Sequence, residues 1–167
     1  MMLITPPASL VSLLQPWADF YNDSKLTETL VLFAHVGALV VGGGIAIAAD
    51  RTTLRLNSDV DRRRHVLDVL ALHRTVLASL AVIVISGLLL LAADIETFWA
   101  SWIYWAKMLL VVLLLINGWR MQRVEQVAST EAVVSAAHWS ALRGTAMVSV
   151  ALWLAVTFAG IALVNYA

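Results

Sequence analysis

The sequence predicts an all-α integral membrane protein, a single domain over residues 1–167 folded as an up-down-up-down four-helix bundle. Three observations predict it. Apolar types make up 61% of the residues and charged types 13%, where soluble domains hold about 45–50% and about 25%. Four apolar stretches reach about 20 residues, enough to cross a hydrocarbon core of roughly 30 Å. Basic residues gather in alternate connections between those stretches.

The spans read as about 29–49, 71–93, 99–121 and 142–166. In lipid each must be one continuous helix, because only a helix pairs its own backbone groups there. The first connection carries Arg51, Arg55, Arg62, Arg63 and Arg64, and the third carries Arg120, Arg123 and Arg143. The second connection (DIET) has no Lys or Arg, and only Lys25 precedes the first span. The positive-inside rule then places both termini outside. Trp17, Phe20, Tyr21, Trp99, Trp102, Tyr104, Trp105 and Tyr166 form an outer aromatic belt, and Trp119 and Trp139 mark the inner face.

The N-terminal segment lacks the basic start of a signal peptide. Pro6 and Pro7 suit a first helical turn. A short helix burying Leu10, Val11, Leu13, Leu14 and Trp17 would lie on the outer surface. Asn57, Ser58 or Asp59 can cap an early start of the second helix. Its first turns would stay solvated, with Val60, Leu67 and Ala71 facing inward. The brevity of DIET makes the second and third spans antiparallel neighbours.

At 1.5 Å of rise per residue, His35, Gly87, Lys107, Thr157 and Gly160 all fall roughly 5–14 Å below the outer boundary. An imidazole, an amine and small residues thus share one layer. Ala34, Ala38, Gly42 and Ala46 form a small-residue ridge at i, i+4 spacing. Such a ridge serves close helix packing or leaves room for a flat cofactor beside His35. Lys107 either snorkels to the interface or faces the interior, where an ammonium marks function. His35 is either a hydrogen-bonded packing residue or a ligand.

A second layer near the cytoplasmic face holds His73, Arg74, Asn117, Arg120, His138 and Arg143. His73 and His138 are a candidate bis-imidazole pair, or they anchor helix ends together with the arginines. His65, flanked by Asp61 and Asp68, reads as an exposed charge cluster. Every Asp and Glu falls at or beyond a span end, so no buried carboxylates are expected. Cysteine is absent, which removes disulfides, iron–sulfur clusters and thiol nucleophiles. Equal counts of basic and acidic residues, 11 each, leave no nucleic-acid-binding charge.

SWIYWAKMLLVVLLLINGWRMQR, at residues 101–123, is similar to the third helix of the bacterial four-helix membrane protoporphyrinogen oxidases. Lys107 falls on that helix's lysine. FAHVGALVVGGGIAIAADRTTLR resembles the family's first helix, with His35 on its histidine and Gly42–Gly44 on its glycine. HRTVLASLAVIVISGLLLL resembles the second, with Arg74 on a basic entry residue. The copper-resistance D family looks equally close over SGLLLL, Tyr104, Lys107 and NGWRMQR. The likeness covers roughly residues 29–165. DRTTLR replaces the Pro-Arg and histidine segment of the oxidases, and Asn117-Gly118-Trp119 stands where they have a histidine.

The resemblance implies a bacterial inner-membrane protein binding heme b. His35 would ligate the iron, Lys107, Gly42 and Arg74 would contact the cofactor, and His73 and His138 are second candidates for the metal. A porphyrin or a quinone-like small molecule would be the partner in redox chemistry. Two other classes are a copper-handling membrane protein and a non-catalytic accessory subunit, within a larger membrane complex or a homo-oligomer. Few methionines and histidines argue against copper.

Overall fold

The computed structural model describes residues 5–131 and 133–166, with Asp59 given by its backbone alone. The described chain folds as helices α1 (Ala8–Asp23), α2 (Lys25–Arg55), α3 (Asp59–Ala93), α4 (Ile95–Ala100), α5 (Trp102–Ser129) and α6 (Ala136–Tyr166), with no strand among the described residues. α2, α3, α5 and α6 are each long and apolar enough to cross a membrane.

Local chemistry sets the breaks. Ser24 separates α1 from α2, its hydroxyl accepting the Thr27 N–H at 3.2 Å, as N-cap serines do. α3 starts at Asp59, as the sequence predicts, after Ser58 in extended conformation. The third span, expected from residue 99, begins later. Asp94 accepts the Thr97 N–H at 3.3 Å and starts α4, and the extended Ser101 ends it, so α5 begins at Trp102. All of the DIET stretch after Asp94 is therefore helical: two good N-cap residues seven positions apart make two helices. At the N-terminus Pro7 lies outside the first turn as the N-cap residue, its carbonyl accepting from Leu10 and Val11.

Contacts between helices establish the up-down order. His35 early in α2 meets Ser86 late in α3, and Thr53 late in α2 meets His65 early in α3. Asn117 donates to the Thr145 carbonyl at 3.0 Å, and Lys107 early in α5 lies against Gly160 late in α6. One end of the bundle gathers α1, α4 and four of the seven tryptophans, Trp17, Trp99, Trp102 and Trp105. The other gathers the two arginine-bearing connections. We call them the tryptophan-rich and arginine-rich ends. The closest seams are α2 with α3 and α5 with α6. α2 with α6 follows, and α3 with α5 is the loosest of the four. α3 and α5 are neighbours as expected, but α4 stands between them in sequence and their packing is sparse.

Two crossings show why small residues sit in α2. A Cβ on Gly42 would come within 2.6 Å of the Ser79 Cβ, and one on Gly43 within 3.1 Å of the Trp153 ring. Backbone and neighbouring side chain touch at both positions, the use small-xxx-small ridges serve.

Beyond the middle of the bundle, packing changes character. Val66, Met121, Ala128, Val134, Trp139 and Leu142 form a buried cluster at the arginine-rich end. Trp139, read from the sequence as an interface marker, is 3% exposed in this core. The inward face of α3 also differs from expectation. Val60, Leu67 and Ala71 are exposed, while Val66 and Val69 are buried. Val60, Val66, Leu67, Val69 and Leu70 spread around the helix, so the sequence allows more than one inward phase, and the partners fix it. In α1, Leu10, Val11, Leu14 and Trp17 are half-buried and Tyr21 is buried, but Leu13 is exposed. The Trp17 Nε1–H donates to the Leu89 carbonyl at 2.9 Å, docking α1 on the last turns of α3.

Candidate functional site

The bundle interior carries two polar layers, one toward each end. The layer at the tryptophan-rich end contains His35, Ser86, Gly87, Lys107 and Gly160. The His35 Nδ1 lies 3.0 Å from the Ser86 Oγ. That hydroxyl donates its one hydrogen to the Val82 carbonyl at 2.6 Å. When it donates there it accepts from the imidazole, a pairing that suits the tautomer with the ring hydrogen on Nδ1 and a lone pair on Nε2. Metal-binding histidines are fixed in this way by their second nitrogen.

Glycines give both side chains room. A Cβ at Gly87 would lie 3.3 Å from the His35 Cε1, and one at Gly160 would lie 3.5 Å from the Lys107 Nζ. Lys107 is half-buried. It forms no hydrogen bond or ion pair among the described residues. Gly42 stands apart, its free side filled by Ser79. Arg74 is exposed on α3. It lies one position past His73, about 100° around the helix from the inward face.

The layer at the arginine-rich end corrects an expectation. Asp50 and Glu125 are each only 2% exposed. Their helices continue past the apolar spans, so residues at the ends of those spans stay inside the bundle. The two carboxylates, His73, Ser149, Gly118 and Trp153 border a cavity of about 90 Å³. Asp50 Oδ2 and Glu125 Oε2 are buried without a hydrogen-bond partner. The His73 Nδ1 faces the Val69 carbonyl at 3.1 Å, and its Nε2 is 3.5 Å from Glu125 Oε2.

His138 makes a separate pair outside this cavity, its Nδ1 2.8 Å from Glu131 Oε1. Each of the two histidines read as a bis-imidazole pair thus faces a carboxylate of its own. His65 is not an exposed charge cluster. It is half-buried, with Nε2 2.7 Å from the Thr53 Oγ1 and its ring edge-on to Trp139 at 6.5 Å.

A helical register drawn past the spans locates both missed carboxylates. Asp50 continues the ridge of Gly42 and Ala46 at i+4, and Glu125 continues Asn117 and Met121 at the same step. No protein-family model, curated protein or solved structure matches this chain.

Proposed function

We propose that the protein is a heme b-binding membrane redox protein, with His35 as an axial ligand. The observation that carries this reading is the His35–Ser86–Val82 chain of hydrogen bonds, which suits the tautomer whose Nε2 is free to ligate. Gly87 and Gly160 favour it too, because larger residues there would meet the ring of His35 and the amine of Lys107. A charged Lys107 would pair with a propionate through charge-assisted hydrogen bonds. A neutral Lys107 would serve as the opposite ligand. Bound heme would supply one-electron chemistry, and Ser86 would hold the imidazole in its ligating tautomer.

The arginine-rich connections support a cytoplasmic placement of that end in a bacterial inner membrane, with both termini outside. α1, with Leu13 and Phe20 exposed, would rest at the outer interface.

Reduced-minus-oxidised absorption spectra of protein expressed with ample heme test the reading. A Soret band lost in His35→Ala is the expected result. No Soret band in the unaltered protein removes the cofactor. A band unchanged in His35→Ala removes the ligand assignment.

A further inference from the structure

The arginine-rich layer holds more negative groups than its neighbours can neutralise. Asp50 comes from α2, His73 from α3 and Glu125 from α5, while α6 brings Ser149 and Trp153 and no titratable group. Both carboxylates are more than nine-tenths buried, and each has an oxygen without a hydrogen-bond partner. Among the described residues that border the cavity, His73 alone can carry a positive charge, and it supplies at most one.

The geometry at His73 narrows the choice. A carbonyl can only accept, so the Nδ1 facing Val69 is the donor. Nε2 and Glu125 Oε2 therefore face each other across 3.5 Å with a hydrogen between them only if an additional proton is present. Without it two lone pairs would oppose each other in a buried site, beside the second carboxylate. Buried like charges do not both ionise, and a buried unpaired ion costs several kcal/mol. With His73 charged, one carboxylate is balanced and the other still needs a proton. With His73 neutral, both do.

Room for exchange is present. A water needs roughly 10–15 Å³ of such space and two or more polar partners. The cavity offers about 90 Å³ beside the two unpartnered oxygens and the Ser149 hydroxyl. From this juxtaposition we propose that Asp50, His73 and Glu125 form a proton-binding site, in which at least one carboxyl stays protonated at neutral pH and exchanges with water in the cavity. The site is independent of His35 and of any cofactor there.

Infrared spectroscopy of the full chain in lipid nanodiscs at neutral pH tests this. The expected result is a protonated-carboxyl C=O band that shifts in D2O and disappears in the near-isosteric double variant Asp50→Asn/Glu125→Gln. Isotopic labelling of Asp and Glu carboxyl carbons assigns the band in the unaltered chain, should the variant fail to fold. Absence of the band, a band that shifts with neither label, or a band that survives in the folded double variant overturns the proposal. Saturable loss of the band on adding sodium or potassium chloride overturns it in favour of a metal-cation site.

Discussion

At the tryptophan-rich end the polar interior is one imidazole and one amine, each set against a glycine. At the arginine-rich end it is two carboxylates and an imidazole, beside a core of large apolar side chains. The first arrangement leaves basic nitrogens free in apolar surroundings. The second leaves acidic oxygens free beside a small cavity. Both ends are built on the same four helices. What differs is the packing: small residues let the helices meet closely at the first, whereas Val66, Met121, Trp139 and Leu142 close into a core of large side chains at the second.

Substitutions can break or sharpen this contrast. The largest effect is expected at the arginine-rich end, where Trp139→Ala should cost about 3–5 kcal/mol. Trp139 is buried in the core, and Arg62 and His65 both lie against its ring. Reversible unfolding in mixed detergent micelles measures it. A cost no larger than that of truncating Phe158, which is 74% exposed, would abolish the distinction between the two kinds of packing.

Between the ends, Gly42→Ala should cost about 1–3 kcal/mol, the range for overpacking, since its Cβ falls 2.6 Å from the Ser79 Cβ. Gly44→Ala, with nothing within 4 Å, should be neutral or slightly stabilising. Equal effects at both glycines would mean that the α2–α3 crossing has slack.

At the tryptophan-rich end, Ser86→Ala removes the acceptor of the His35 ring hydrogen at a cost of about 1 kcal/mol. It should also release the tautomer, which nitrogen-15 NMR of labelled histidine reads directly. An unchanged tautomer would detach Ser86 from the control of His35.

The smallest effect concerns the connection between α5 and α6. The Ser135 backbone N–H, then His138, hold the Glu131 carboxyl below its ordinary 4.5. A carboxyl lowered on folding stabilises above its unfolded value and loses that contribution as pH falls through its folded one. Glu131→Gln should therefore differ from the unaltered chain at neutral pH, and the difference should shrink as pH drops below 4.5. A difference that grows toward acid reverses the sign and refutes the assignment.

Much of this was legible in the sequence, and what was not shares one cause. Hydropathy finds the four spans, and the rise per residue finds the shared depth of His35, Gly87, Lys107 and Gly160. It locates the lipid rather than the helix, however. α2 runs to Arg55, α3 starts at Asp59, α5 runs to Ser129 and α6 starts at Ala136, all well past the apolar windows. Asp50, His65, Glu125 and Trp139 fall in those overruns, where charge and amphipathic character suggest an interface and packing makes an interior. The lateral order of the helices was legible only in part. A short connection brings α3 and α5 together, but it does not say that their seam is loose.

The length of the helices also bears on how the protein meets membranes of different thickness. α3 has 35 residues and so extends about 52 Å, far more than a hydrocarbon layer of roughly 30 Å. A helix whose apolar length alone fixed its position would tilt or deform the bilayer to match it. Here the surplus is clamped at one end by a buried core and ringed by Arg51, Arg55, Arg63 and Arg64, all exposed. Their preference for headgroup phosphates would fix the height of the bundle from that side. A thicker or thinner bilayer would then be absorbed at the opposite rim, around the exposed Trp102 and Tyr166.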